Sequence, residues 1–319
     1  LYASTLALLL AAFAAASAQA QSAAASLPLP ASDAVLTLDV RALFAEVIPR
    51  SLASDKARLA QVTADVDEFK ARTGIDAREF DTLAVGARIV ALPSGATKFD
   101  RVTAVARGRF KPEALVAAAR AAAKGGLTEQ THGGKTVYVA TVNDHLKLFG
   151  LARMHVRELA FAVLDQNTLA LGEPEDVRAA IDAQAGRGRA DMSVLNFTKE
   201  PGTFLAFAGN VPAGALAGVK TDISPSVDRA IASVRGFYGT VGSTAAGAQM
   251  MTTLRAGTAG DAKQLYDVVN ALRQMAPGFI AMAGEKWGFA RGLVEGTKLT
   301  TKGNEVQLRL EVPQADIAT

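Results

Sequence analysis

The chain has 319 residues, 50% of them hydrophobic, with 34 basic and 31 acidic side chains and a net charge of +3. It can therefore bury a sizeable core, and its cationic excess is too small to argue for nucleic acid or an anionic membrane as partner. The absence of cysteine excludes disulfides, thiol nucleophiles and thiolate-ligated metal centres.

The N-terminal stretch LYASTLALLLAAFAAASAQAQ carries no charge before Asp33. Its apolar centre, residues 6–16, has the length of a secretory h-region, and Ala18-Gln19-Ala20 is a cleavage pattern. Residues 1–20 read as a signal peptide and 21–32 as a flexible lead. The Leu-rich part is too short to read as a permanent anchor, so no integral span is expected after processing.

Next, AVLTLDV (34–40) alternates like a half-buried strand and RALFAEVI turns into a short helix. A longer helix is expected over 54–73, with Leu59, Val62, Val66 and Phe69 on one stripe that should seek a sheet. TLAVGARIVAL (82–92) and RVTAVARGRF (101–110) form a hairpin around PSGATK. In the second strand Val102, Ala104 and Ala106 share one face, and Thr103, Val105, Arg107 and Arg109 the other.

Pro112 opens a helix at a position where its missing N–H removes no internal bond. KTVYVATV (135–142) and the pair within ELAFAVLDQNTLALG (158–172) supply further strands, and Pro174 opens a helix that turns Val177 and Ile181 inward. GRGR (186–189) reads as a solvated loop.

About 147 residues beyond the second hairpin strand and its helix (99–122), GAQMMTTLRAGTAGDAKQLYDVVNALRQM (247–275) repeats their strand-break-helix pattern, with Leu265, Val268, Val269, Leu272 and Met275 as the apolar stripe. TFLAFAG (203–209) resembles a restart of AVLTLDV, and NEVQLRLEV matches RELAFAVLD at the same spacing. The expected fold class is α+β: two related modules, 33–186 and 203–319, joined by a connector at 187–202. Each would be a mainly antiparallel sheet covered on one face by helices, an order compatible with a ferredoxin-like arrangement.

Chemistry is sparse in the pattern. ARGRFKP offers one glycine and a proline where a phosphate cradle needs convergent N–H groups, so no nucleotide cofactor is expected. His132, His145 and His155 lack metal-ligand spacing, and no metal is expected. Ser243 in GTVGSTAAG lacks the nucleophile-elbow pattern and has no histidine downstream. Asp65, Asp67 and Glu68 read as a hydrated helix face.

Trp287 and Phe289 share a face if AGEKWGFARG is a strand, and they are the preferred partner contact, with Phe237 and Tyr238 as a weaker pair. The sequence thus reads as an exported, non-enzymatic envelope or periplasmic protein. It would bind another macromolecule, such as an envelope protein, through a surface or an inter-module cleft. The alternative is an exported hydrolase or small-ligand-binding protein with its site between the modules.

Overall fold

The computed structural model describes residues 27–73, 76–92, 94, 97–123, 126–148, 152–193, 195, 202–221, 223–244, 247–283, 293–294 and 296–313. They form an α+β fold built on a large antiparallel sheet. Its twelve strands run β11-β12-β10-β9-β8-β1-β2-β3-β7-β6-β5-β4. In chain order these are β1 (Ala34–Asp39), β2 (Phe80–Ala91), β3 (Thr97–Gly108), β4 (Leu127–His132), β5 (Lys135–Leu148), β6 (Ala152–Asp165) and β7 (Thr168–Gly172). There follow β8 (Thr203–Asn210), β9 (Val234–Thr244), β10 (Gly247–Ala256), β11 (Lys298–Lys302) and β12 (Glu305–Pro313).

The helices are α1 (residues 40–51, with an i→i−5 turn over Leu43–Val47), α2 (Lys56–Thr73), α3 (Pro112–Ala122), α4 (Pro174–Gln184), α5 (Pro225–Ala232) and α6 (Ala259–Ala283). In α1, Pro49 cannot donate to Ala45, and the Ile48 N–H reaches back to the Leu43 carbonyl instead, a local widening that proline makes economical. Proline occupies the first turn of α3, α4 and α5, where its missing donor is harmless. Ser224 caps α5 by accepting from the Val227 N–H at 3.3 Å. The helix it opens was not among those expected.

Strand alternation sorts the core into two faces. On the front face, Val35, Ala84, Val105, Ala170, Ala162 and Val137 pack under Val177, Ala180 and Ile181 of α4. On the back face, Phe161 and Leu169 pack under Leu115 of α3, while Val306, Leu254 and Phe237 pack under α5 and α6 through Ala230, Ala262 and Leu265. Residues 160–164 show the cause: Phe161 and Val163 serve one core while Ala160, Ala162 and Leu164 serve the other. The expectation of helices on one face is therefore corrected. In the first half they lie on both, because β5 to β7 are apolar on both sides.

Other readings meet the structure as follows. Residues 27–32, expected to be a flexible lead, are packed: Leu27 and Leu29 are fully buried. Leu29 accepts from the Ala190 N–H and Ala31 donates to the Gly188 carbonyl, at 2.9 and 2.7 Å. GRGR is the exposed loop that was expected, and it also clasps this segment. Arg189 reaches the Leu27 carbonyl at 3.2 Å, and Gly186 and Gly188 take the left-handed turns (φ 83° and 63°) that direct it. On β3, Thr103 and Val105 are fully buried, while Arg107 and Arg109, expected on the same side, are half-buried and exposed.

The α2 stripe is not seated as expected either, since Leu59, Val62 and Val66 are only half-buried and Phe69 is 40% exposed. Finally, β12 pairs with β10, whereas the outer neighbour of β3 is β7. Position in the sheet therefore matches β12 to β7, not to the β6 stretch that equal spacing suggested.

Candidate functional site

The middle of the back face carries the most distinctive surface among the described residues. Register places Phe207, Leu36, Val85, Ala104 and Leu171 side by side in one row across β8, β1, β2, β3 and β7. Two residues along each strand, Val241, Leu205, Leu38, Leu83 and Ala106 form a second row, with Met250 opposite Val241. Neither row contains a charged side chain.

These rows lie between the core under α3 and the core under α5 and α6. Leu36, Leu83, Val85, Leu205, Phe207 and Val241 are half-buried, while Leu171 and Met250 are 38% and 39% exposed. Leu38 in the second row is 8% exposed, close to Phe161 and Leu169 of the flanking core at 9% and 8%. A contiguous apolar strip of this length, incompletely covered, marks an interaction surface more readily than isolated exposed residues would. We call it the trough.

The local chemistry shapes the floor. Gly239 lets the Phe207 ring lie across β9: a Cβ there would meet a Phe207 ring carbon at 2.4 Å and the Met251 carbonyl oxygen at 2.4 Å. Phe207 also leans on Phe237, with ring centroids 6.3 Å apart. The foot of the trough is crossed by α1, whose Arg50 donates to Ser243 Oγ at 3.1 Å and whose Arg41 pairs with Asp81 at the start of β2. Ser243 is thus hydrogen-bonded to an arginine.

The opposite face of the second half is polar. Tyr238 donates to Glu305 at 3.1 Å, burial pushing its phenol up, and Arg309 donates to Gln249 at 3.0 Å. The same face also buries Thr240, Met251 and Thr253, which are 2%, 7% and 1% exposed.

The carboxylates with displaced pKa values are dispersed, each with a structural partner. Asp76 is held well below the usual carboxylate range, first by its hydrogen bond from Arg78 and then by Lys70. Asp182 is lowered by Arg187 and by His132, the latter 3.1 Å away. Asp228 is lowered by the backbone and hydroxyl of Thr221. Asp176 is pushed up by burial, against the pull of Arg101. No group of three or more His, Cys, Asp or Glu residues suited to a metal ion occurs among the described residues. A surface depression of about 270 Å³ between the ends of β9, β10 and β12 holds one ionisable group, Glu311, which pairs with Arg309.

The structure separates the weaker sequence-derived pair. Phe237 belongs to the back core under α5 and α6, and Tyr238 faces the polar front. Adjacent strand residues must diverge in this way. Trp287 and Phe289 lie outside the described residues. His145 and His155 occupy directly opposed positions on β5 and β6, well separated in chain order from His132 on β4. Most of the trough residues were individually read as strand apolars, Val241 in GTVGSTAAG excepted, but their convergence depends on strand order, which no local signal carries.

Scans against protein-family models and curated proteins found no match. Solved structures of TP0453 in crystal forms III and I align with TM-scores of 0.46 at 9% and 10% identity. The alignments span 91% of this chain and 94% and 92% of theirs. Crystal form IV aligns at 0.44. Agreement at that level supplies no functional argument, so function is argued from the trough itself.

Proposed function

We propose that this chain is an exported, non-catalytic envelope or periplasmic protein that binds a macromolecular partner through the back-face trough. The observation that carries the reading is the uncharged, half-exposed row from Phe207 to Leu171 across the centre of the sheet. Such a floor can take the apolar face of a partner helix, as helix-in-groove recognition requires, and offers no acid, base or nucleophile to a bound substrate. Export is supported by the h-region and cleavage pattern of residues 1–20. No helix among the described residues is long and apolar enough to cross a membrane.

The reading includes two related modules, 33–186 and 203–319. Its support is the parallel succession β1-helix-β2-β3-helix and β8-α5-β9-β10-α6, with the trough centred where β1 and β8 pair. Trp287 and Phe289 are retained as candidate contacts on the strength of sequence alone. The test is capture of partners from the native envelope with the processed protein, using Leu171→Asp, Met250→Asp and Trp287→Ala. A partner kept by all three variants overturns the reading. A partner lost with Leu171→Asp and Met250→Asp supports the trough, and additional loss with Trp287→Ala supports the tryptophan.

A further inference from the structure

We infer that the chain associates with a second copy of itself by antiparallel pairing of β4 across a two-fold axis, joining two sheets edge to edge at Glu129. The contact lies at the outer rim of the sheet, apart from the trough.

The sheet ends in β11 on one side and β4 on the other. Each is the first strand of a hairpin closed by a two-residue turn: Gly133-Gly134, at φ 55° and 75°, joins β4 to β5, and Gly303-Asn304 joins β11 to β12. In such a hairpin the residues flanking the turn exchange both backbone hydrogen bonds, and every second residue beyond them does the same. In β4 this commits His132, Gln130 and Thr128 to β5. The N–H and C=O groups of Leu127, Glu129 and Thr131 are left directed away from the sheet. In β11 the outward groups are those of Leu299 and Thr301.

The β4 edge is ordered and open. Its pairing with β5 runs from Leu127 to His132 without a register shift, and Leu127 packs into the core under α3. Thr128, Glu129, Gln130 and Thr131 are exposed, while α4 lies inboard, over β3, β5, β6 and β7. Side chains that could fold across the edge turn inward instead. Gln130 accepts from Arg178 of α4, His132 meets Asp182 at 3.1 Å, and Glu129 meets Arg120 of α3 at 2.5 Å. β4 also has no proline, lysine or bulge, the devices that ordinarily keep an edge from pairing.

The two edges differ in how they would meet their own copies. Two β4 strands use every outward group in a single antiparallel register, with Leu127 facing Thr131 of the partner subunit and Glu129 facing Glu129 of the partner subunit. A slip by two residues wastes a pair at the end, and a slip by one misaligns the groups. In the full register Thr128 faces Gln130 of the partner subunit, and neither is charged. The carboxylates at the axis each have an arginine beside them, so two neutral pairs meet rather than two anions. The same construction on β11 sets Lys298 against Lys302 of the partner subunit at both ends, and both lysines are exposed. Like charges directly opposed disfavour a strand pair. β11 is thus guarded against its copy, whereas β4 is complementary to itself. Closed two-fold pairing is also the commonest form of homo-oligomer. The contact is short, which makes the dimer a weak one, below the size of permanent interfaces.

Sedimentation velocity on the processed protein between about 5 µM and about 500 µM, the range suited to a small interface, should show the average mass rising toward twice the monomer value. The absence of native cysteine lets the register be read directly. Glu129→Cys places two thiols across the axis with Cα atoms about 5.5 Å apart, within disulfide reach. Under mild oxidation it should cross-link about tenfold faster than Thr128→Cys, whose copy lies beyond about 7 Å. Thr131→Pro removes an outward N–H and leaves the ladder to β5 intact; it should abolish both the mass increase and the advantage of Glu129→Cys. If the proline variant folds poorly, Thr128→Lys with Gln130→Lys copies the guard of β11 and should have the same effect, relieved by high salt.

A mass that stays monomeric at the highest concentration overturns the inference, as do equal cross-linking rates for Glu129→Cys and Thr128→Cys. Faster cross-linking of Glu129→Cys chains with Thr301→Cys chains than among themselves shows head-to-tail pairing of β4 with β11 and overturns the two-fold form. Dimerisation indifferent to both edge variants overturns the role of β4 and assigns the contact to another face.

Discussion

Replacing Arg101 should reveal a buried carboxylate held by a strained residue. Arg101 sits on β3 at φ 53°, the one non-glycine residue with positive φ among those described, where the register with β2 slips between Gly86 and Arg88. Its Nε lies 2.6 Å from Oδ1 of Asp176, a side chain only 3% exposed, while its own is 47% exposed. Burial pushes the Asp176 carboxyl up, whereas the carboxylate holds the guanidinium more firmly charged. The two directions agree once burial is taken as the larger effect on the acid.

Removing one partner of a fully buried pair costs 3–5 kcal/mol. With the arginine half in solvent, Arg101→Ala should lose about 2 kcal/mol at pH 7. Arg101→Gly loses the same ion pair but relieves the left-handed conformation, which costs a side-chain-bearing residue roughly 1 kcal/mol, and so should be about that much more stable than the alanine variant. The pH sign follows from the raised folded pKa. Ionising Asp176 disfavours the native state, so the deficit is absent below the unfolded carboxylate value near 4 and grows as pH rises through it toward the folded value. Urea unfolding followed by circular dichroism at pH 4 and pH 7 measures both effects. The reasoning is refuted if Arg101→Gly is no better than Arg101→Ala, or if adding Asp176→Asn to Arg101→Ala recovers nothing at pH 7.

Gly239→Ala should destabilise by about 2 kcal/mol, since its methyl meets both the Phe207 ring and a backbone oxygen; a thermal melt equal to wild type would contradict the packing. Thr103→Val should be neutral or stabilising by up to about 1 kcal/mol, because the Thr103 hydroxyl is buried without a hydrogen-bond partner, and a clear loss in urea midpoint would expose a missed partner. Asp76→Asn should lower stability at neutral pH, where the depressed carboxyl is ionised and bonded. That difference should fade as pH falls below the unfolded value near 4 toward the lower folded one, and a pH-independent difference would argue for lost packing instead. Removing Leu27 to Leu29 from the mature chain should destabilise by more than about 3 kcal/mol, because two fully buried side chains go with them; an unchanged melting temperature would refute their core role.

Much of the fold was legible where periodicity was strong. The alternation of Val35 to Val40, the hairpin turning at Asp165 to Asn167, and the inward Val177 and Ile181 behind Pro174 all follow from local sterics and burial. The segment 27–32 was illegible because leucines between alanines and prolines look like linker until Gly188 and Arg189, distant in sequence, clasp them. The pairing of Phe237 with Tyr238 as one contact ignored a period of two that the sequence itself displayed. The trough depends on β8 lying beside β1, a neighbourhood of residues 169 apart, as the Thr37 hydroxyl's contact with the Ala206 carbonyl records.

That long-range pairing also dictates a timetable. As the chain emerges from its N-terminus, β1 can join β2 once the residues between them have appeared. The other flank of β1 must wait for β8, well over a hundred residues later, and until then presents a bare line of amides and carbonyls in the middle of the future sheet. Sheets are vulnerable to stray pairing along such lines, so the nascent protein carries its greatest hazard at its centre, and only arrival of the second half removes it.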